Sequence, residues 1–340
     1  ARGRERRDAT PSQEADEVPL EISPEQHAAL IANLKFAEIP IESFATVLHF
    51  QDAWDILRHF HTDPFKDHRW AFRGQANAAW KLEPSIERLK RAHSKRFRAG
   101  AEEYVRRAFK QRAHQYMQYL PAEKEELEWM ALMRHHGAPT RFLDWTRSPY
   151  VAAFFAVAEA GEDVESAIWA IDTDEIRREA IRLLSRGGMI DEPEGSKFSF
   201  SEPNVFDRVF LRETSPAIVA PVRTLRTNER ATSQQGLFLC PNSARWGFEF
   251  GLKQVLKSAR EMEAASCREN NLEVLPPYQL FKLCIAPNAG TELLRELHRM
   301  NINYATLFPG LDGFARSRGT NITVSGHGNK IAGDRFDSRV

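Results

Sequence analysis

Met133-Arg134-His135-His136-Gly137-Ala138-Pro139-Thr140-Arg141-Phe142-Leu143-Asp144-Trp145-Thr146-Arg147-Ser148-Pro149-Tyr150-Val151-Ala152-Ala153-Phe154-Phe155-Ala156 runs from a polar turn straight into an apolar segment. Gly137 and Pro139 stop an incoming helix over Glu125–Arg134, which carries Leu127, Trp129, Met130 and Leu132. Ser148 and Pro149 then start another, because Ser caps a helix N-terminus and Pro is tolerated at the first helical position. The spacing predicts a buried helix over Pro149–Ala158, with Ala152, Ala153 and Ala156 small enough to lie close to a sheet. Between the two helices stand His, Arg, Thr and Asp side chains at a density that a plain core element does not need. Each such group buried without a partner costs roughly 1–3 kcal/mol, so the block reads as a site.

Outward from it, His68–Gly74 alternates aromatic with smaller or polar residues and predicts a strand ending at a glycine turn, with Arg73 at the strand end. Helices are expected from Pro24, with Ser23 as cap, and over Gln51–His61, where Trp54, Ile56, Leu57 and Phe60 recur at helical spacing. From Arg88 to Gln118 the chain reads as one long basic helix. Downstream, Ala167–Ile171, Ala217–Ala220, Gly236–Leu239 and Leu280–Ile285 are short apolar runs of strand type, and Thr291–Met300 is an amphipathic helix. Early helices followed by strands point to an α+β fold rather than a doubly wound α/β sheet. The expected organisation is a polar arm at 1–20, N-terminal helices at 21–65, a main domain at 66–320 with a basic helical insertion at 88–120, and a tail at 321–340.

Composition narrows the class. The 340 residues, 42% hydrophobic and 28% charged, are those of a globular chain large enough for a sizeable core. Lys plus Arg (47) balance Asp plus Glu (47), which removes any global attraction to nucleic acid and leaves only local basic patches. Cys240, Cys267 and Cys284 are far apart and odd in number, which suggests neither a disulfide framework nor a metal-ligand spacing and fits a reducing cytoplasm. No apolar run is long enough for a membrane span or a signal core, so no membrane partner is expected. The chain starts at Ala1 rather than Met, as a fragment or processed product would. Walker-type and G-x-G-x-x-G phosphate loops are absent from the sequence.

Three segments carry candidate chemistry. In Phe72-Arg73-Gly74-Gln75, Arg73 can grip a phosphate or carboxylate bidentately while Gly74 allows close backbone approach. In the central block, His135 or His136 can orient a hydroxyl or move a proton near neutral pH, but adjacent helical positions let only one of them serve. Asp144 can hold Arg141 or a His; Thr146 and Ser148 present hydroxyls on one side of an extended segment, and Ser148 also serves as a cap. In Asn228-Glu229-Arg230-Ala231-Thr232-Ser233-Gln234-Gln235-Gly236, paired amides beside a glycine can read a nucleotide base or ribose. Leu307–Gly313 reads as a turn with an apolar plug.

Phe72-Arg73-Gly74, Pro84-Ser85 with Arg88, the block from His135 to Ala156, Gln234-Gln235-Gly236-Leu237-Phe238 and the Leu307–Gly313 ending together resemble the FRG domain, over roughly residues 70–315. A more distant resemblance is to ADP-ribosyltransferases of the Arg-Ser-Glu type. Arg73 is similar to their first-strand Arg, and Thr146-Arg147-Ser148 leading to Ala152 and Phe155-Ala156 is similar to their Ser-Thr-Ser strand and helix. Gln234 or Gln235 stands where that family has Glu. A neutral amide can hold a ribose hydroxyl but supplies no charge to an oxocarbenium-like state.

The resemblance implies an ADP-ribosyltransferase-like split mixed or antiparallel sheet with added helices, and an enzyme that takes NAD, as a bacterial toxin or phage-defence effector acting on a protein or nucleic-acid acceptor. On that basis Arg73, Ser148, Gln234 and Glu229 form the catalytic set, with Thr146 and Ser148 buttressing Arg73. Arg73, Gly74, Gln75, His136, Gly137, Thr140, Arg141, Asp144, Thr146 and Gln235 would contact the nucleotide. The competing expectations are a nucleotide- or phage-component-sensing module without chemistry, which the missing Glu favours, and an RNA- or DNA-directed activity using the basic helix.

Overall fold

Short runs of Val, Ile, Leu, Phe and Trp become strands, and the segments between them become helices. The computed structural model describes residues 24–93, 100–191, 198–212, 216–226, 228–243, 245–269 and 279–324. The chain divides into two units, residues 1–39 and residues 40–340. The first contributes helix α1 (Pro24–Glu38). The expected arm at 1–20, the cap Ser23, residues 325–340 of the tail and Lys95, Arg96 and Arg98 of the basic stretch lie outside the described residues.

In the second unit the order is β1 (Thr46–Phe50), α2 (Ala53–His59), β2 (Trp70–Gln75), α3 (Ser85–Ala92), α4 (Ala101–Ala113), α5 (Glu126–His135), β3 (Leu143–Thr146) and α6 (Pro149–Val157). There follow β4 (Ser166–Asp172), α7 (Thr173–Arg186), α8 (Pro203–Phe210), β5 (Val219–Val222), α9 (Glu229–Ser233), β6 (Gly236–Pro241) and α10 (Gly247–Glu269). The last elements are β7 (Leu280–Ile285), α11 (Pro287–Arg299), α12 (Tyr304–Leu307) and α13 (Leu311–Val324).

The strands form one mixed sheet of seven in the order β1-β7-β4-β2-β3-β6-β5. β1 and β7 run parallel and every other neighbouring pair is antiparallel. The sheet is nearly divided at its centre. β2 pairs with β4 from Trp70 to Gln75 and β3 pairs with β6 from Leu143 to Thr146, but β2 and β3 meet only at Phe72↔Thr146.

Alternation along the strands sends Trp70, Phe72, Ile168, Ala170, Phe281, Leu283 and Ile285 into one buried cluster with side chains of α2, α6 and α11. At about 25 cal/mol per Å² of apolar area removed from water, such a cluster supplies the main drive to fold. α6 lies directly on β2. A Cβ built on Gly74 would stand 2.1 Å from the Ala152 carbonyl oxygen and 2.5 Å from the Ala156 nitrogen. The glycine is therefore not a turn, as the sequence predicts; β2 continues through it to Gln75, and the missing side chain is what lets α6 approach.

Two further expectations are corrected. The single basic helix is two, since α3 ends at Ala92 and α4 starts after Gly100, whose φ of 78° is left-handed. The strand expected over Ala217–Ala220 is β5 and begins at Val219, because the Ile218 N–H is taken by Asn242 Oδ1 at 2.8 Å. Pro221 is accepted within β5 because β5 is an edge strand, where a missing N–H costs no ladder bond. By contrast, α6 starts as its sequence dictates: Ser148 Oγ accepts the Val151 N–H at 3.3 Å, with Pro149 at the first helical position.

Candidate functional site

Past the single pair Phe72↔Thr146, β2 and β3 no longer pair, and the Arg73 side chain spans the gap between them. Its Nη1 donates to the Asp144 carbonyl at 2.7 Å, a main-chain group that the sheet leaves free there. Its Nε is buried and has no hydrogen-bond partner among the described residues. Burial lowers the guanidinium to about 10, with Asp144 opposing that change and Arg134 and Arg88 adding to it. Arg73 is thus a protonated cation with unused donor capacity in the interior.

Asp144 is the centre of charge. Its carboxylate accepts from Arg134 Nε at 2.9 Å and from Arg134 Nη2. Burial pushes the Asp144 carboxyl up, but Arg134, then Arg73 and Arg230, override it and hold it below the usual carboxylate range. The Asp144 side chain is 45% exposed, so the arginines grouped around it leave a recess partly open to solvent. Arg88 and Arg230 belong to the same electrostatic group: burial lowers both guanidiniums, and both feel Asp144 as an attraction and Arg134 as a repulsion. Arg88 Nη1 is held by the Glu83 carbonyl at 2.6 Å, and Ser85 Oγ accepts from Arg134 Nη1 at 3.4 Å.

Four guanidiniums therefore act around one carboxylate, with Glu83 the further acid acting on Arg88. Such a recess is cationic and favours multiply charged oxyanions such as phosphate groups, whose oxygen pairs match the planar guanidinium fork.

α9 closes one side. Asn228 caps it by accepting the Ala231 N–H at 2.7 Å, and Asn228 Nδ2 lies 3.1 Å from His135 Nδ1. Burial lowers the His135 pKa, helped by His136 and Arg230. The imidazole facing the cations is thus that of His135, whereas His136 is exposed and only stacks edge-on against it at 4.8 Å. The Arg230 guanidinium lies 4.3 Å from the Phe308 ring centroid; in the Leu307–Gly313 segment Leu307 is buried, whereas Leu311 is 79% exposed and does not plug.

The other predicted residues are used differently. Thr146 Oγ1 donates to the Gln234 carbonyl at 2.6 Å and accepts the Ser148 N–H at 3.0 Å. Ser148 caps α6. The hydrogen bonds of these two hydroxyls tie β3 to α9 and α6, and the buttress of Arg73 is instead the Asp144 carbonyl. Gln234 Nε2 donates to the Leu307 carbonyl at 2.9 Å, while Gln235 has φ of 48° at the turn into β6 and its carbonyl takes the Arg147 N–H at 3.0 Å. Glu229 stands exposed in the first turn of α9.

Gln75 is a core residue: its Nε2 donates to the Lys81 carbonyl at 3.1 Å and its Oε1 accepts the Trp169 indole N–H at 2.8 Å. Thr140 is fully buried, and its backbone pairs with Ser85 Oγ. Gly137 is the left-handed residue that ends α5, with φ of 79°. Arg141 is not in the recess. It is clamped to Glu102 at 2.5 Å and donates to the Phe210 carbonyl at 2.5 Å and, more weakly, to Pro241 at 3.4 Å. Asp144 accordingly holds Arg134, not Arg141 or a His.

Arg134, Arg88 and Arg230 are the recess residues that sequence reasoning leaves out. The signal for Arg134 is its place next to buried Met133 on α5, ten residues ahead of Asp144; the other two stand inside motifs of the FRG resemblance or the Asn228–Gly236 segment. Within the basic stretch, Arg106 and Lys110 pair with Glu126 and Arg107 with Glu103.

Residues 68–165 match the FRG domain family model, which supports the FRG resemblance over β2 to the segment before β4. The match includes Arg73, Arg88, Arg134 and Asp144 and stops short of the Gln234 segment and the Leu307 turn. No curated protein and no solved structure matches the chain. No helix among the described residues is long and apolar enough to cross a membrane.

Proposed function

We propose that the FRG segment and α9 form a nucleotide site, and that this chain binds NAD there as an ADP-ribosyltransferase-like enzyme. The observation that carries the reading is Arg73: a buried guanidinium with an unpartnered Nε, at a break in the sheet, within a cluster of four arginines around one part-exposed carboxylate. That donor set fits the diphosphate of NAD, and Arg73, Arg134, Arg88 and Arg230 are the residues that would hold it. When bound, NAD supplies an ADP-ribosyl group with nicotinamide as its leaving group. Arg134, fixed by Asp144 and Ser85, orients the anion; Phe308 and the α9 turn exclude water from one side. His135 offers an imidazole whose proton affinity burial lowers. Glu229 is the exposed carboxylate on α9 that would stand in for the family Glu.

A second reading has its own observation. The Gln234 amide, in the family Glu segment, is engaged by the Leu307 carbonyl and so serves the fold, which favours a nucleotide-sensing module that binds without turnover. Purified full-length chain incubated with labelled NAD and a cell lysate separates the two. Transfer of label or release of nicotinamide, lost in Arg73→Ala, supports the enzyme. Calorimetric binding of NAD without turnover supports the sensor. Equal affinity for NAD and for adenosine, which lacks the diphosphate, would remove both.

A further inference from the structure

The opposite edge of the sheet brings together a group of different chemistry. β1 and β7 are parallel neighbours in which His49 and Cys284 are Cα partners, and Glu165 immediately precedes β4, whose Ser166 pairs with Ile285. Three adjacent strands therefore place an imidazole, a carboxylate and a thiol at one level of the sheet. His49 Nδ1 lies 3.2 Å from Glu165 Oε1, and the ligand-type atoms of all three residues lie within 4.8 Å of one another. The Glu165 backbone is fixed by the Ala78 N–H, which donates to its carbonyl at 2.8 Å. Cys284 is buried against Ala78 and Ala167, while the His49 and Glu165 side chains are 59% and 42% exposed.

We infer that His49, Glu165 and Cys284 form a binding site for a zinc-class divalent cation, with a fourth position open to solvent. Ligand bonds of about 2.0–2.3 Å around a tetrahedral ion put neighbouring donor atoms roughly 3.3–3.8 Å apart. The His–Glu contact, at 3.2 Å, is already close to that spacing, and the part-exposed Glu165 side chain can rotate to adjust the remaining distances. Nitrogen, oxygen and sulfur donors together select a borderline-soft ion such as zinc over calcium or magnesium, which take oxygen alone. Two ligands sit on paired strands, so their separation is set by backbone register rather than by flexible loops. The two exposed ligands face outward, which leaves the fourth position for water or an exchangeable group. Nothing in this site depends on the arginine recess.

Cobalt(II) titration of the metal-stripped full-length chain tests it, because a thiolate bound to cobalt gives a charge-transfer absorbance that oxygen and nitrogen ligands do not. One equivalent of cobalt is expected to bring up that band, zinc to remove it, Cys284→Ser to abolish it and Cys267→Ser to leave it intact. His49→Ala, a change at an exposed side chain that spares the core, is expected to weaken cobalt binding by at least about tenfold, the loss already seen for outer-shell partners of metal ligands. Absence of the band at saturating cobalt, its survival in Cys284→Ser, or unchanged affinity in His49→Ala would each overturn the site.

Discussion

Arg134 and Arg141 stand seven residues apart in the same block, and each holds a carboxylate, yet they do different work. Arg141 and Glu102 are both 12% exposed, and Arg141 spends further donors on main-chain carbonyls. Arg134 shares Asp144 with Arg73, Arg88 and Arg230 at the bottom of an open recess. The first arrangement is complete and rigid. The second has more cation than anion and is open to solvent, so it has capacity for a ligand. What separates the two arginines is thus the balance of their neighbours, which the residue type does not reveal.

The difference breaks most sharply through Glu102. Glu102→Ala leaves a buried guanidinium without its carboxylate and is expected to destabilise the fold by about 3–5 kcal/mol in denaturant titration, with NAD affinity of the folded protein unchanged. A loss of affinity with no loss of stability would place Arg141 in the site after all. Arg73→Ala is expected to show the reverse, an affinity loss of about 100-fold or about 2.7 kcal/mol by calorimetry. Its cost to stability is small by comparison, because its Nε is already unsatisfied. Arg134→Lys keeps the charge but not the planar fork, and an intermediate loss of roughly tenfold is expected.

Smaller effects come from protons. Glu87 of α3 reaches the start of α10, where it accepts the Phe248 N–H at 2.8 Å, and burial, with Glu83 and Glu249, raises its carboxyl to about 8 against the pull of that hydrogen bond and of Lys90. The folded state therefore keeps a proton that the unfolded chain has released from its ordinary value of 4.5 upward, so stability falls as pH rises through 4.5 to about 8. Glu87→Gln is expected to remove that slope and to stabilise the protein on the order of 1 kcal/mol above it, read as melting temperature against pH. The smallest effect concerns His135. Because its pKa is lowered, NAD affinity is expected to rise only a few-fold as the pH falls below the ordinary histidine value near 6.5 and a further cation joins Arg230, and His135→Gln should flatten the profile.

Much of the framework was legible because it depends on local rules. Ser148 and Pro149 start α6, Leu280–Ile285 is a strand at the bounds its composition indicates, and Arg73 belongs to a strand. Local rules fail where the reason for a residue lies across the fold. Gly74 reads as a turn but is a contact with α6; Gln75 reads as a ligand contact but satisfies the Trp169 indole; His136 and Arg141 read as pocket residues because only tertiary packing says which way they face.

By itself the sequence determined the α+β mixture, the Ser148 cap that starts α6, the apolar runs of β4 to β7 and the segment in which charge is concentrated, all of which follow from spacing and propensity along a few turns of chain. Tertiary structure alone decided that β2 and β3 part after one residue pair and that Arg73 fills the gap. It also decided that Arg88, Arg134 and Arg230 converge on Asp144, and that His49, Glu165 and Cys284 come to one level of the sheet. Strand order and register connect positions more than a hundred residues apart, and no periodicity in the chain encodes that pairing.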